Sequence, residues 1–122
     1  MADVSVDLSR IKGFHAHVYY APHTRAIAAR LRTAIGKRFR ARLGSWHDEP
    51  VGPHSVAIYQ VAFTNGEFSR LVPWLMLNRK GLNVLVHPLT DDSVADHTRF
   101  ALWLGTALPL RVDVLRRGSH PR

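Results

Sequence analysis

The chain has 122 residues, 46% of them hydrophobic and 21% charged, a composition that suits one compact domain with one core. Its formal net charge is +8 and it holds no cysteine, so disulfides and thiolate metal ligands are excluded. No apolar run approaches the roughly 20 residues that span a bilayer, and Met1–Asp7 lacks the basic and apolar regions of a secretory signal, so the expectation is a cytoplasmic protein with no membrane segment.

Residues 1–12 read as a loose lead-in. Phe14-His15-Ala16-His17-Val18-Tyr19-Tyr20 alternates with period two and predicts a first strand over about 13–20. Phe14, Ala16, Val18 and Tyr20 share one face; His15, His17 and Tyr19 share the other. Two imidazoles on one strand face, about 6.5–7 Å apart at Cα, can converge on a single ion. Pro22 introduces a helix over roughly 23–43, with Ile27, Leu31, Ala34, Ile35, Phe39 and Leu43 as its buried stripe. From Leu8 to His47 there are nine basic residues and no acid. Most fall off the stripe, which predicts a solvated helix face; attraction of nucleic acid or of a small anion are the alternatives.

Residues 44–48 are a candidate second strand, and the turn over 49–53 leads into a third at about 54–63. Asn65-Gly66 breaks that strand. A second helix follows over roughly 67–77, where Pro73 predicts a kink or a late start. The fourth strand is 82–87, ended by Pro88. A third helix is expected over 93–104, with Asp92 as N-cap and Gly105 just past its end. A short last strand at 111–115 and a frayed polar tail at 116–122 complete the chain.

This order predicts an α+β fold: a ferredoxin-like antiparallel sheet with helices on one face, an extra C-terminal helix and a short strand, all in one domain over 1–122. A homodimer would cover apolar surface left on the other face. In such a sheet the first and fourth strands are antiparallel neighbours, so His87 falls beside His15, and His15, His17 and His87 form one cluster. His54 falls nearer Tyr19, with His47 farther along that face or in a second group. His97, on the inward stripe of the third helix, reads as a buried structural imidazole or an acid/base group. His23 reads as a surface residue and His120 as part of the tail.

Non-haem Fe(II) sites for dioxygen chemistry often use two imidazoles and one carboxylate. Asp48, after His47, or Asp96, before His97, could supply the acid; the choice between an acid and a third histidine stays open. Nucleotide-binding glycine loops, a nucleophile elbow and HExxH are absent from the sequence. Tyr19, Tyr20, Tyr59 and Phe63 could stack on bases, so a basic nucleic-acid-binding module is the competing class. A metal-binding domain without turnover is a third.

Four segments, FHAHVYY at 14–20, WHDEPVGPH at 46–54, VPWLMLNRKGLNVLVHPLTDD at 72–92 and DHTRFALWLG at 96–105, resemble the DOPA 4,5-dioxygenase family in order and spacing. The resemblance covers about 12–113. It implies a small ferredoxin-like domain, often a dimer, that cleaves a catechol ring outside its two hydroxyls with non-haem Fe(II) and dioxygen. By position His15 and His17 match the family's HxH, His54 its GPH, His87 its VHP and His97 its DH. On this reading His15, His17 and His87 are the expected metal ligands, with zinc as a substitute for iron. His54 or His97 is the expected proton-transfer group, and Arg79 the expected partner of a substrate carboxylate.

Overall fold

A computed structural model describes residues 4–116. The elements are β1 (Phe14–Tyr19), α1 (Arg25–Arg38), β2 (Ala41–Leu43), β3 (Ile58–Phe63), α2 (Phe68–Asn78), β4 (Val84–Pro88), α3 (Ser93–His97), β5 (Leu102–Leu104) and α4 (Asp113–Arg116). The strands form one five-stranded sheet in the order β2-β3-β1-β4-β5, antiparallel throughout. Its first four strands have the ferredoxin-like arrangement, as the element order predicts, and β5 is added at the β4 edge. His120 and most of the expected tail lie outside the described residues.

Several boundaries differ from expectation: the second strand is Ala41–Leu43 and not 44–48, where only Gly44 and His47 bond to β3, and the third begins at Ile58 and not at 54. The first helix stops at Arg38, and 41–43 pairs with β3, Ala41 opposite Phe63 and Leu43 opposite Val61. Phe39 and Leu43 mimic the next helical steps because Leu43, from its strand, still packs on α1. A Cβ at Gly36 would sit only 3.2 Å from its Cδ1, so the glycine makes room for that contact. The third helix is one short turn ending at His97, since Leu102–Leu104 pairs with Val84–Val86 instead. The run Leu102-Trp103-Leu104 gains more from a sheet edge than from a helix that would strand its aromatic ring. The expected strand at 111–115 is instead the helical turn α4, while Leu110 makes an isolated bridge with His54. By contrast, α2 continues through Pro73 because Leu71, Val72 and Leu75 bury its inner face.

The two faces of the sheet do different work. One face, with Ala16, Val18, Tyr59, Val61, Val84 and Val86, packs against Ala28, Leu31 and Ile35 of α1 and Leu71 and Leu75 of α2 as the main core. The opposite face carries a smaller apolar group, Tyr19, Ile58 and Leu85, covered by Val51, Val56, Trp103, Leu108 and Leu110. Segments of this same chain therefore fold over part of the face that the helices leave. Arg25, Arg30, Lys37 and Arg38 on α1 are exposed, as expected of a solvated face. The rings proposed for base stacking are not available: Tyr19, Tyr20, Tyr59 and Phe63 are all at most 5% exposed. Among the described residues no helix is long and apolar enough to cross a membrane.

Candidate metal centre

The alternation of β1 delivers His15, His17 and Tyr19 onto the sheet face opposite the helices. The register does the rest: His15 stands directly opposite His87 on β4, and His17 opposite Gln60 on β3. His54 comes from the loop before β3. Arg111 Nη2 fixes its backbone by donating to the His54 carbonyl at 2.9 Å, and the Arg111 N–H donates to the Pro53 carbonyl at 2.8 Å. His97 closes α3. All five imidazoles are at most 4% exposed. Ring centroids lie 4.1 Å apart for His87 and His97, 4.2 Å for His17 and His54, and 5.3 Å for His15 and His87. Five such rings line one cavity of about 400 Å³.

Their nitrogens fall into two groups in which all potential ligand atoms lie within 4.8 Å of one another: His15, His17 and His87, and His17, His54 and His97. The first is the cluster that strand pairing predicts. The second does not follow from strand pairing, because His54 stands in a loop and His97 at the end of a short helical turn. His17 belongs to both.

Backbone carbonyls set two of the tautomers. A carbonyl only accepts, so His87 Nδ1 donates to the Pro88 oxygen at 2.8 Å, and His97 Nδ1 donates to the Ser93 oxygen at 2.7 Å. Each neutral ring is left with its lone pair on Nε2, the arrangement by which metal-bound imidazoles are commonly oriented. His17 Nε2 lies 3.0 Å from His87 Nε2. With His87 neutral, its Nε2 carries no proton and His17 Nε2 is the donor. The other His17 nitrogen, Nδ1, is then an acceptor, buried and without a hydrogen-bond partner. Burial, and then the neighbouring His54, His87, His15 and His97 rings, hold His17 well below the ordinary histidine range, so it is neutral at pH 7. Nitrogens that share an ion at about 2.1 Å each stand roughly 3 Å apart, so the His17–His87 spacing also suits a common cation. Close together and with two rings oriented by carbonyls, these residues fit a divalent metal of the zinc or iron type.

Neither candidate carboxylate joins them. Asp48 faces α1, accepting from Tyr20 Oη at 2.6 Å and Arg25 Nε at 2.9 Å. Burial and the Asp48 carboxylate push the Tyr20 phenol up to about 12. Asp96 accepts from the Thr90 backbone N–H at 3.0 Å and from the Thr90 hydroxyl, bracing the loop that presents His97. Asp96→Ala takes the acceptor from two half-buried Thr90 donors and is expected to cost about 1 kcal/mol in urea unfolding. A loss below 0.5 kcal/mol would mean that Asp96 does not brace this loop.

The remaining sequence candidates divide. His47 is exposed on the cavity wall, held by a backbone bridge to Ile58 and backed by Trp46, over whose ring the Arg25 guanidinium lies at 4.1 Å. Arg79 is not brought to the cluster: its Nη1 donates to the Leu82 carbonyl at 3.0 Å, in the turn before β4. His23 is exposed in the turn before α1. Gln60, unmarked by sequence reasoning, lines the cavity; its position opposite His17 is the signal that strand pairing could have provided.

The fold and site together define a small ferredoxin-like domain with a buried polyhistidine cavity, a class suited to metal chemistry on a small molecule. The chain belongs to the Dopa 4,5-dioxygenase family, whose sequence model matches residues 14–114. The family is one of dioxygenases, which places the chain among oxidoreductases that consume dioxygen. It is similar to an uncharacterized 21.2 kDa protein of Botryotinia fuckeliana, 36% identical over 122 residues that cover 89% of this chain and 67% of the relative. It is 32% identical to a DOPA 4,5-dioxygenase of Amanita muscaria over 113 residues, 85% of this chain and 50% of the relative. The chain therefore spans only half the length of that fungal enzyme. A crystal structure from Nostoc punctiforme, described as a candidate dioxygenase, superposes with a TM-score of 0.91 at 52% identity, covering 93% of this chain and 98% of that one.

Proposed function

We propose that this protein is a metal-dependent extradiol dioxygenase that opens the ring of a catechol-type diol outside its two hydroxyls. The observation that carries the reading is the set of five buried imidazoles lining one cavity, two of them held by carbonyls with Nε2 as acceptor. In this reading His15, His17 and His87 hold Fe(II), which zinc can replace. The bound iron supplies a Lewis acid and electron partner for the diol and dioxygen. Both atoms of dioxygen enter the product, and the electrons come from the carbon–carbon bond that breaks, so no outside reductant is required.

The other imidazoles handle protons. His97 Nε2 is an acceptor and is suited to take a proton from the diol. His54 Nδ1 meets the Tyr19 hydroxyl at 2.6 Å, and burial raises that phenol well above its ordinary range, so it stays protonated. Phenol and imidazole can each act as donor or acceptor, unlike the carbonyl partners of His87 and His97. His54 can therefore hold either tautomer, which suits it to return a proton to the product. Burial of the rings and the apolar cover of Val51 and Ile58 limit water around the reacting atoms. The same proposal takes the protein as a cytoplasmic homodimer, favoured by the exposed Leu77 and Met76 of α2.

Protein loaded with Fe(II) under anaerobic conditions and then given oxygen is expected to consume it with catechols and to form a yellow ring-opened product. Stoichiometric metal with no oxygen uptake across a catechol panel would reduce the protein to a metal-binding domain.

A further inference from the structure

We propose that the groove between α1 and α2 binds a nucleoside polyphosphate. It lies on the helix side of the sheet, away from the imidazoles, so it is a second site and stands apart from the ring-cleavage reading.

A cavity of about 430 Å³ opens between the two helices. Ile27, Leu31 and Ala34 line it at steps of four and three residues, which makes them one stripe of α1. Trp74 and Asn78, four residues apart on α2, line the facing wall. Arg30, Arg38 and Lys80 complete the groove; all three are exposed, and no carboxylate lines it. The helix cations that do hold acids are others, Arg25 with Asp48 and Arg70 with Glu67. Among the described residues the three groove cations have no acidic partner. Like charges gathered around one groove repel each other and attract an anion.

The groove has two unlike ends. β1 and β3 are antiparallel, so the helices that follow them, α1 and α2, also run antiparallel. At one end the Arg38 guanidinium lies 5.7 Å from the centre of the Trp74 ring, and Phe39 meets that ring edge-on at 5.4 Å and fixes it. Indole and guanidinium are both surfaces on which a base can stack. Eight residues earlier on α1, about 12 Å along its axis, Arg30 falls level with the end of α2, which Lys80 follows. Two cations there suit phosphate oxygens. Between the ends, Asn78 Nδ2 donates to the Trp74 carbonyl at 3.0 Å, which leaves its Oδ1 to accept from a sugar hydroxyl. Lys80 adds an independent sign. It holds φ +57°, and among the described residues it is the only non-glycine with positive φ. Glycine would adopt that conformation without strain, so the value of lysine here lies in its side chain.

Calorimetry on the whole chain at pH 7 compares ADP with adenosine and with inorganic pyrophosphate. ADP is expected to bind one to one, at least tenfold tighter than either part. Lys80→Gly is expected to weaken ADP at least fivefold while its urea midpoint stays level or rises, a pattern that a merely structural lysine would not give. Arg30→Gln is expected to weaken ADP by a similar factor. His17→Leu, which breaks the imidazole cluster, is expected to leave ADP binding within twofold of the parent. No binding of ADP at about 1 mM, equal binding of either part, or full ADP affinity in both groove variants overturns the inference. Loss of ADP binding in His17→Leu would move the anion to the imidazole cavity and overturn it as well. A single-stranded oligonucleotide that binds tighter than ADP and is weakened by the same two variants would make the groove a nucleic-acid surface, and the free-nucleotide inference falls. None of these outcomes bears on oxygen uptake with catechols, so the two readings stand or fall separately.

Discussion

His17→Leu is expected to abolish metal retention while leaving the metal-free protein within about 1 kcal/mol of its parent. His17 is the one residue common to both groups of ligand nitrogens, so its loss breaks each of them. Yet its stabilising value without metal is small. Nδ1 is buried with no partner, and the single polar contact it makes is with His87. A leucine of similar size fills the same space and removes the one unsatisfied nitrogen. Metal content after gel filtration and urea unfolding with and without metal check this. The parent gains about 4 kcal/mol when free metal is a thousandfold above Kd, and the variant gains nothing. Full metal occupancy in the variant would remove His17 from the coordinating set.

Acidification is the second large effect. The folded-state pKa of His17 lies well below the histidine reference near 6.5, to which it returns on unfolding. Between those two values the unfolded chain binds more protons than the folded one, so stability rises with pH there. The contribution of His17 is complete above about pH 6.5 and is lost as pH falls through the window below it. For one proton, the loss approaches 1.4 kcal/mol per pH unit inside the window. Metal release follows the same direction, since ligating imidazoles must be neutral. Urea midpoints at pH 7.5, 6.5 and 5.5 should fall in that order, and His17→Leu should flatten the trend. Equal slopes in parent and variant would assign the acid sensitivity to other groups.

The sequence made one side of the site legible and hid the other. The period-two pattern of β1 and the ferredoxin-like order together place His15 against His87, and the observed register agrees residue for residue. His54 does meet Tyr19, as expected, but from the loop before β3 and not from the strand itself. What hid was decided by long-range pairing. Leu43 continues a helical spacing but pairs in a strand, and Phe100, Ala101 and Leu104 continue one that stops at His97. Adjacency in sequence misled for Asp48 and Asp96, because a neighbour one residue along a strand or turn points elsewhere. Arg79 suited a carboxylate by chemistry, but it caps α2 in the turn before β4, where it donates to the Leu82 carbonyl and does not line the cavity.

Consecutive residues of β1 supply opposite layers of the molecule. Adding or deleting one residue between Gly13 and Tyr20 would rotate imidazoles into the greasy interior and turn Ala16 and Val18 outward, unseating hydrophobic interior and chemistry in one stroke. Such a segment can exchange its side chains one at a time but cannot change its length, so indels should be far rarer there than in the neighbouring loops.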